Sequence, residues 1–443
     1  MKKAILVLVL LAVACGMVFA GGGSQQQTTT APKASADNTI RWSYWGNGVR
    51  ITGVNNAIME YFNRTGYFVM SEPAGGTGEH FDKFRTQNAG GFGADIVQTG
   101  GDFSNFGLSD QLVSAAGIDD LLLPLDQFVQ SGVLDISKVD AAAIQAGTRS
   151  GKLYAIPVAT NMPAMMYNKS LLERVGAPLP AAQMTWTEFD TWIRAVQAKL
   201  PRGTYALTDY SATSTGSLFF GYWCGDNNTP QWNGTRTMLT VADVQRYFEM
   251  WARWRTDGII PPAATSADYA ETNESTSSMI AGLTAITVGW SNNIAGYQSA
   301  TRDTLELLLL PNAHVTKRLW GQMSQMMAIN KNSTKPEQAA RFISYYVNDP
   351  AVWTFLGTSY GIPVTPAARS VLPTTDAAVA KQVAYLNLAG QYAGPRDPNM
   401  PSDTEWNSGL HLIAQNIAYG RRTAAQGAQD VMDLIYRLTN TRP

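Results

Sequence analysis

Residues 38–48 read NTIRWSYWGNG, a β-branched and aromatic run that ends in two aromatics and a Gly-Asn-Gly break. Alternation over TIRWSYW predicts a buried strand with Trp42 and Tyr44 on one face and Trp45 on the other. After the break, Val54, Ile58, Tyr61 and Phe62 recur at helical spacing until Gly66 stops them. YFVMSEP reads as the next strand, a helix follows around Phe81 and Phe84, and GADIVQTGG at 93–101 reads as a third strand. The order strand, helix, strand, helix predicts a mostly parallel α/β sheet. In open α/β sheets the crevice lies beyond the carboxyl ends of the strands. Tyr44, Trp45 and Gly46 are therefore expected at a cleft, as are Gly101 and Asp102 after the third strand, where the glycines give backbone access. Against this stands packing of Trp42 and Trp45 in the core and a helix-capping role for Asp102.

The front of the chain, MKKAILVLVLLAVACGMVFA, places Lys2 and Lys3 before an apolar run and ends in Ala20, the pattern of an export signal over 1–20. A second reading takes Cys15 as a lipidated N-terminal cysteine. Residues 21–37 are Gly, Gln, Thr and Ser with almost no apolar content and read as a flexible linker. No later run approaches the roughly 18 apolar residues of a spanning helix, so the exported chain is expected to be soluble in the periplasm or cell envelope. Lysine plus arginine total 33 against 34 acids, a formal charge of −1, and no basic block tracks phosphates, which argues against nucleic acid. Of two cysteines, Cys224 alone remains after the leader, so no internal disulfide framework is expected. Roughly 400 residues exceed one ordinary core and predict two domains.

Later segments carry helix signals. Thr185-Trp186-Thr187-Glu188 reads as a capping box ahead of Phe189, Trp192, Ile193, Val196 and Leu200. Thr334-Lys335-Pro336-Glu337 reads the same way ahead of Ala339, Phe342, Ile343 and Tyr346, and Asp349-Pro350 stops that helix. Another helix is expected near 243–257, and two more, around 410–418 and 424–438, close the chain. YWCGDNN at 222–228 reads as a loop.

Several stretches together resemble the extracellular solute-binding proteins of ABC importers, the carbohydrate-binding family that includes maltose-binding protein. They are IRWSYWGNG, GADIVQTGGDF with LLPLDQFV, the block GKLYAIPVATNMPAMMYNKSLLERVGAPLPAAQMTWTEF at 151–189, SMIAGLTAITVGW at 278–290, and AINKNSTKPEQAARFISYYVND with YGIPVTP. The resemblance implies a two-lobed α/β fold, each lobe a mixed, mostly parallel sheet flanked by helices, with three crossings between lobes. Lobe 1 is then expected at 38–158 and 318–352, and lobe 2 at 159–317 and 353–443. It further implies a monomer without cofactor, metal or catalysis that binds a carbohydrate and delivers it to ABC permease subunits.

A sugar has apolar C–H faces, which aromatic rings cover, and a rim of hydroxyls, which amides and carboxylates pair. A stacked ring that removes about 100 Å² of apolar surface from water contributes about 2.5 kcal/mol. A buried unpaired hydroxyl costs about 1–3 kcal/mol, so polar partners are mandatory. The candidates are Tyr44, Trp45, Gly46, Gly101 and Asp102, with Asn161 on the cleft floor at the first crossing. Trp223 and Asp226 in the expected loop, Trp290 and Asn292 in VGWSNN, and Trp320 in LWGQMS complete them. The family commonly sets an aromatic against the sugar where Trp290 stands. Trp223, Trp320 and Trp406 with His411 also admit plain packing. Rival readings are a polyamine, iron or peptide receptor, for which Glu72, Asp102, Asp226 or the pair Tyr345-Tyr346 would speak, and a carbohydrate-active enzyme of the cell surface. His80, His314 and His411 are too scattered in sequence to mark a metal site.

Overall fold

The computed structural model describes residues 35, 37–46, 48–100, 103, 118–211, 216–271, 274–373, 376–394, 397, 398, 400 and 403–440. The expected leader with Cys15, nearly all of the linker, and Gly101 and Asp102 lie outside the described residues.

Two sheets organise the chain. In the first, the order is Phe68–Ala74, Thr39–Trp45, Ile96–Thr99, Met326–Ile329, Ala155–Pro157. Thr39–Trp45 pairs in parallel with Phe68–Ala74 along its whole length and also with Ile96–Thr99, while Met326–Ile329 runs antiparallel to both its neighbours. The second sheet has the order Leu305–Leu308, Pro163–Asn168, Thr284–Trp290, Tyr205–Leu207. Here Pro163–Asn168 opposes both its neighbours, and Tyr205–Leu207 is parallel to Thr284–Trp290. Each sheet thus has one strand running against all the others, which is the mixed, mostly parallel character expected.

The alternation in TIRWSYW does what its pattern dictates. Trp42 and Tyr44 are buried side by side, ring centroids 4.7 Å apart, under the Gly48–Thr65 helix and the Pro336–Asn348 helix, whose Phe342 and Tyr346 pack edge-on against Trp42. The second lobe has an aromatic core in which Phe189, Phe219, Phe220, Tyr247, Trp251 and Trp254 interlock, covered by the Asp403–Ala418 and Ala424–Thr439 helices.

The Thr185 capping box forms, its hydroxyl accepting from Glu188 N (3.3 Å) while the Glu188 carboxylate accepts from Thr185 N (2.8 Å). The one expected at Thr334 does not: that helix starts after Lys335 with Pro336 in its first turn and no side-chain cap. Proline has no N–H to be satisfied there and its fixed φ starts the helix alone. Asp349-Pro350 ends one helix as expected and then caps the next, Pro350–Leu356, through Asp349 Oδ1 and Ala351 N (2.9 Å). The stretch expected as a loop at 222–228 is mostly the end of a helix, Gly216–Asp226. Phe219, Phe220, Tyr222, Trp223 and Cys224 are all buried, so the surrounding core stabilises a helix that its glycines disfavour.

Between the lobes lies a small antiparallel sheet in which Ala159–Asn161 is flanked by Gln322–Met323 and Ile362–Pro363. The first passage between lobes runs through Ala159–Asn161 and the second through Gln322–Met323. Packing does not change at 317/318 or 352/353, where boundaries were expected. Leu319 and Trp320 still belong to the second core, and Val352, Trp353, Leu356, Tyr360, Val364, Ala368 and Val371 all pack on the first. The third passage comes between Val371 and the Ala377–Ala389 helix, whose Tyr385 and Ala389 join the second core. A proline break marks where a helix stops; it does not mark where the chain changes partners.

Candidate functional site

The carboxyl ends of Thr39–Trp45 and Ile96–Thr99 lie side by side at the junction. A Cβ added to Gly100 would stand 3.5 Å from Trp45 Cη2 and 3.8 Å from Ser324 O, so the indole spans the end of the third strand. Trp45 is partly exposed, while its neighbours fix it: His80 and Phe81 lie 5.2 and 5.6 Å away, centroid to centroid. With the Gln325 amide oxygen turned inward, that oxygen accepts from Trp45 Nε1 at 3.2 Å and from Arg50 Nη1 at 2.9 Å. Gly46 donates its N–H to Ala74 O (3.0 Å), and a Cβ there would meet Arg50 Cδ at 2.9 Å, so the missing side chain lets Arg50 fold back over the turn.

Behind Trp45, His80 is fully buried. Its Nε2 lies 2.8 Å from Gln98 O and its Nδ1 3.2 Å from Ser43 Oγ. A carbonyl only accepts, so Nε2 carries the hydrogen and Nδ1 takes one from Ser43. Burial disfavours the imidazolium and pushes the pKa down to about 4. The ring is neutral at neutral pH and serves as packing for Trp45.

From the second lobe, Thr284–Trp290 ends in a partly exposed Trp290. Its backbone N–H donates to Asn293 Oδ1 (2.7 Å), which occupies the space a Cβ at Gly289 would take. Two residues after Trp290, Asn292 Nδ2 reaches across to Ser359 O (3.0 Å), the same carbonyl that receives Arg50 Nη2 (2.6 Å). Glu274 also faces the other lobe. Cβ atoms built on Gly48 and Gly296 would lie 3.0 and 2.8 Å from its two carboxylate oxygens. The junction thus brings together two partly exposed tryptophans, one from each lobe, with amides, a guanidinium, a carboxylate and two strand-end glycines. Ser324 Oγ and Ser359 Oγ in the same region are buried without hydrogen-bond partners among the described residues.

Of the expected site residues, Trp45, Gly46, Trp290 and Asn292 gather here. Asn161 is at the crossing as expected, but its side chain is taken: Nδ2 donates to Tyr360 O (2.9 Å) and Oδ1 accepts from Gln382 Nε2 (3.4 Å) and Ser291 Oγ (3.5 Å). It ties the two lobes together. Tyr44 is core, its ring on Trp42 and its hydroxyl on Ser71 Oγ (2.8 Å), because strand alternation points it away from Trp45. Trp223 is buried against Tyr247 (5.4 Å), and Trp320 is buried near Tyr222 (6.4 Å), both inside the second core. Asp226 is buried and accepts from Trp186 Nε1 (2.6 Å), Asn312 Nδ2 (3.1 Å) and Thr316 Oγ1, so its lone pairs hold segments of one lobe.

Glu72, another acid that would favour a cation, is committed like Asp226. Burial works against ionisation of Glu72, yet Arg41 (2.5 Å) and Lys83 (3.4 Å) outweigh it and hold its pKa below the usual range. Tyr346 is fully buried and Tyr345 donates to Ala57 O (3.3 Å), so that pair is packing as well. Sequence reading missed Arg50, Gln325, Ser359 and Glu274. Arg50 had a signal, a cation in the first turn of a helix that has no acid there. The others sit in segments without pattern and meet only through the fold.

Residues 56–385 match the family described as bacterial extracellular solute-binding protein. The maltodextrin-binding protein MdxE of Bacillus subtilis is 22% identical over 297 residues, 66% of this chain and 68% of that protein. A family 1 extracellular solute-binding protein from Alicyclobacillus acidocaldarius superposes with a TM-score of 0.64 at 25% identity, covering 91% of this chain and 98% of its own. The periplasmic oligogalacturonide-binding protein of Yersinia enterocolitica in complex with saturated digalacturonic acid reaches 0.75 at 22% identity, covering 90% and 99%. With the family matched over most of its length and the two-lobed architecture shared, this chain belongs to the bacterial extracellular solute-binding protein family.

Proposed function

We propose that the protein is the extracytoplasmic receptor of an ABC importer that binds a mono- or oligosaccharide between its lobes and presents the closed form to the permease. The observation that carries this reading is the pair Trp45 and Trp290, each at the carboxyl end of a strand of a different lobe and each partly exposed at the junction. Two such rings cover the C–H faces of a sugar, and Asn292, Gln325, Glu274 and the orphaned serine hydroxyls furnish a polar rim. Maltodextrin and digalacturonic acid, the ligands named for two of the relatives, fit the same chemistry. A solute that touches both lobes shifts the open–closed equilibrium by its differential affinity for the two states, and only by that.

In this reading lobe 1 comprises about residues 38–158 and 326–371, and lobe 2 most of the rest, with Asn161 as a strut between them. The leader directs export, and the envelope anchor is either lipid on Cys15 or none, with cleavage after Ala20; mass spectrometry of the native N-terminus separates the two. The function is tested by thermal unfolding against mono- and oligosaccharides, with polyamines, ferric ion and amino acids alongside. A ligand at about 100 times Kd adds about 2.7 kcal/mol and raises Tm by several degrees. Stabilisation by one saccharide class supports the receptor, whereas stabilisation by the controls alone overturns the saccharide reading.

A further inference from the structure

Among the described residues, Arg50 is a cation without a counter-charge. It is partly buried in the first turn of the Gly48–Thr65 helix, a turn with no acidic residue, where the helix dipole already places positive charge. Other partly buried arginines of this chain are paired: Arg41 with Glu72 at 2.5 Å and Arg255 with Asp209 at 2.6 Å. Arg50 instead donates to two neutral oxygens, Ser359 O and Gln325 Oε1, and lies with its guanidinium carbon 4.5 Å from the Tyr360 ring centroid. Its Nε is buried with no hydrogen-bond partner among the described residues. Glu274 stands against Gly48 two residues earlier, yet no carboxylate among the described residues comes within ion-pair distance of the guanidinium.

The position adds to the charge. Arg50 shares the Gln325 oxygen with Trp45, and it shares the Ser359 carbonyl with Asn292 of the other lobe. The guanidinium therefore lies between the aromatic contact of one lobe and the amide of the other, held by ring stacking and two acceptors, with unfilled donors left over from its five. A fixed, partly desolvated guanidinium with spare N–H groups is suited to an oxyanion, which it binds with short charge-assisted hydrogen bonds.

We propose that Arg50 is a specificity residue of the interlobe site and that the solute is an acidic saccharide, one whose anionic group, a uronic-acid carboxylate or a sulfate ester, completes this unpaired cation. The proposal rests on the saccharide reading above. Titration calorimetry of the purified protein with uronic-acid oligomers, their methyl esters and sulfated oligosaccharides of the same length tests it. The acid or the sulfate is expected to bind at least about tenfold more tightly than the ester, and whichever of the two binds identifies the anion. Arg50→Gln is expected to weaken binding of the acidic ligand by about thirtyfold or more and to bring the acid-to-ester affinity ratio close to one, and Arg50→Lys to recover part of both. Should Arg50→Gln melt early, Arg50→Lys and the acid-to-ester ratio of the unaltered protein decide. Neutral oligosaccharides binding as well as acidic ones, or full acid affinity in a folded Arg50→Gln protein, overturns the proposal and leaves a neutral-sugar receptor standing. Binding of no saccharide of any class removes the saccharide reading and this one together.

Discussion

The dipeptide Tyr-Trp occurs twice, at 44–45 and at 222–223, with opposite outcomes. In the first, the strand sends neighbouring side chains to opposite faces: Tyr44 is fully buried and Trp45 is partly exposed at the junction. In the second, a helix packed all round buries both, Tyr222 under Pro311 O and Trp223 against Tyr247. The residues after each pair matter as much. Gly46 ends the strand and turns the chain, whereas Cys224-Gly225-Asp226 continues the helix and ends in a carboxylate fixed by Trp186 and Asn312. Residue type nominates a ligand contact; the period of the backbone and the point where the element stops decide it.

The largest effect that sharpens this contrast is on stability. Trp223→Ala removes a fully packed indole and is expected to cost about 3–5 kcal/mol in urea unfolding. Trp45→Ala, at a partly exposed ring, is expected to cost clearly less, and equal costs would erase the distinction between the two sites.

Next is acid. His80, behind Trp45, takes up its proton near pH 4 in the native protein but near 6.5 when unfolded. Its contribution is therefore complete above pH 6.5 and is lost as pH falls from 6.5 through 4, on the order of 3 kcal/mol in all. Unfolding free energies measured across that window should show this loss, and it should shrink in a His80→Gln protein.

Smaller is the loss of one proposed sugar contact. Trp290→Ala is expected to weaken saccharide binding more than tenfold with Tm nearly unchanged, in line with the roughly 2.5 kcal/mol of one stacked ring. Smallest is Thr185→Ala, which removes a capping box remote from the junction and is expected to cost about 1 kcal/mol of stability without altering affinity.

The fold was legible because strand alternation and helical spacing are local. TIRWSYW, the face of Val54, Ile58, Tyr61 and Phe62, and the Thr185 box could be read from neighbours in the chain. The candidate site was legible only at strand ends, where Trp45 and Trp290 are marked by the residues that stop their strands. Asp226 and Trp320 were misread because their partners, Trp186, Asn312 and Tyr222, come from distant segments. Arg50 escaped for the same reason, although its place at the wrong end of a helix dipole was visible in the sequence.

In the proposed receptor, one solute touches both lobes through these two tryptophans. Titration calorimetry with the saccharide that most raises Tm, performed on the unaltered protein and on Trp45→Ala and Trp290→Ala, tests it most directly. Loss of affinity of more than tenfold in each variant, with both still folded, is the predicted result. Undiminished affinity in either folded variant would contradict a site shared between the lobes.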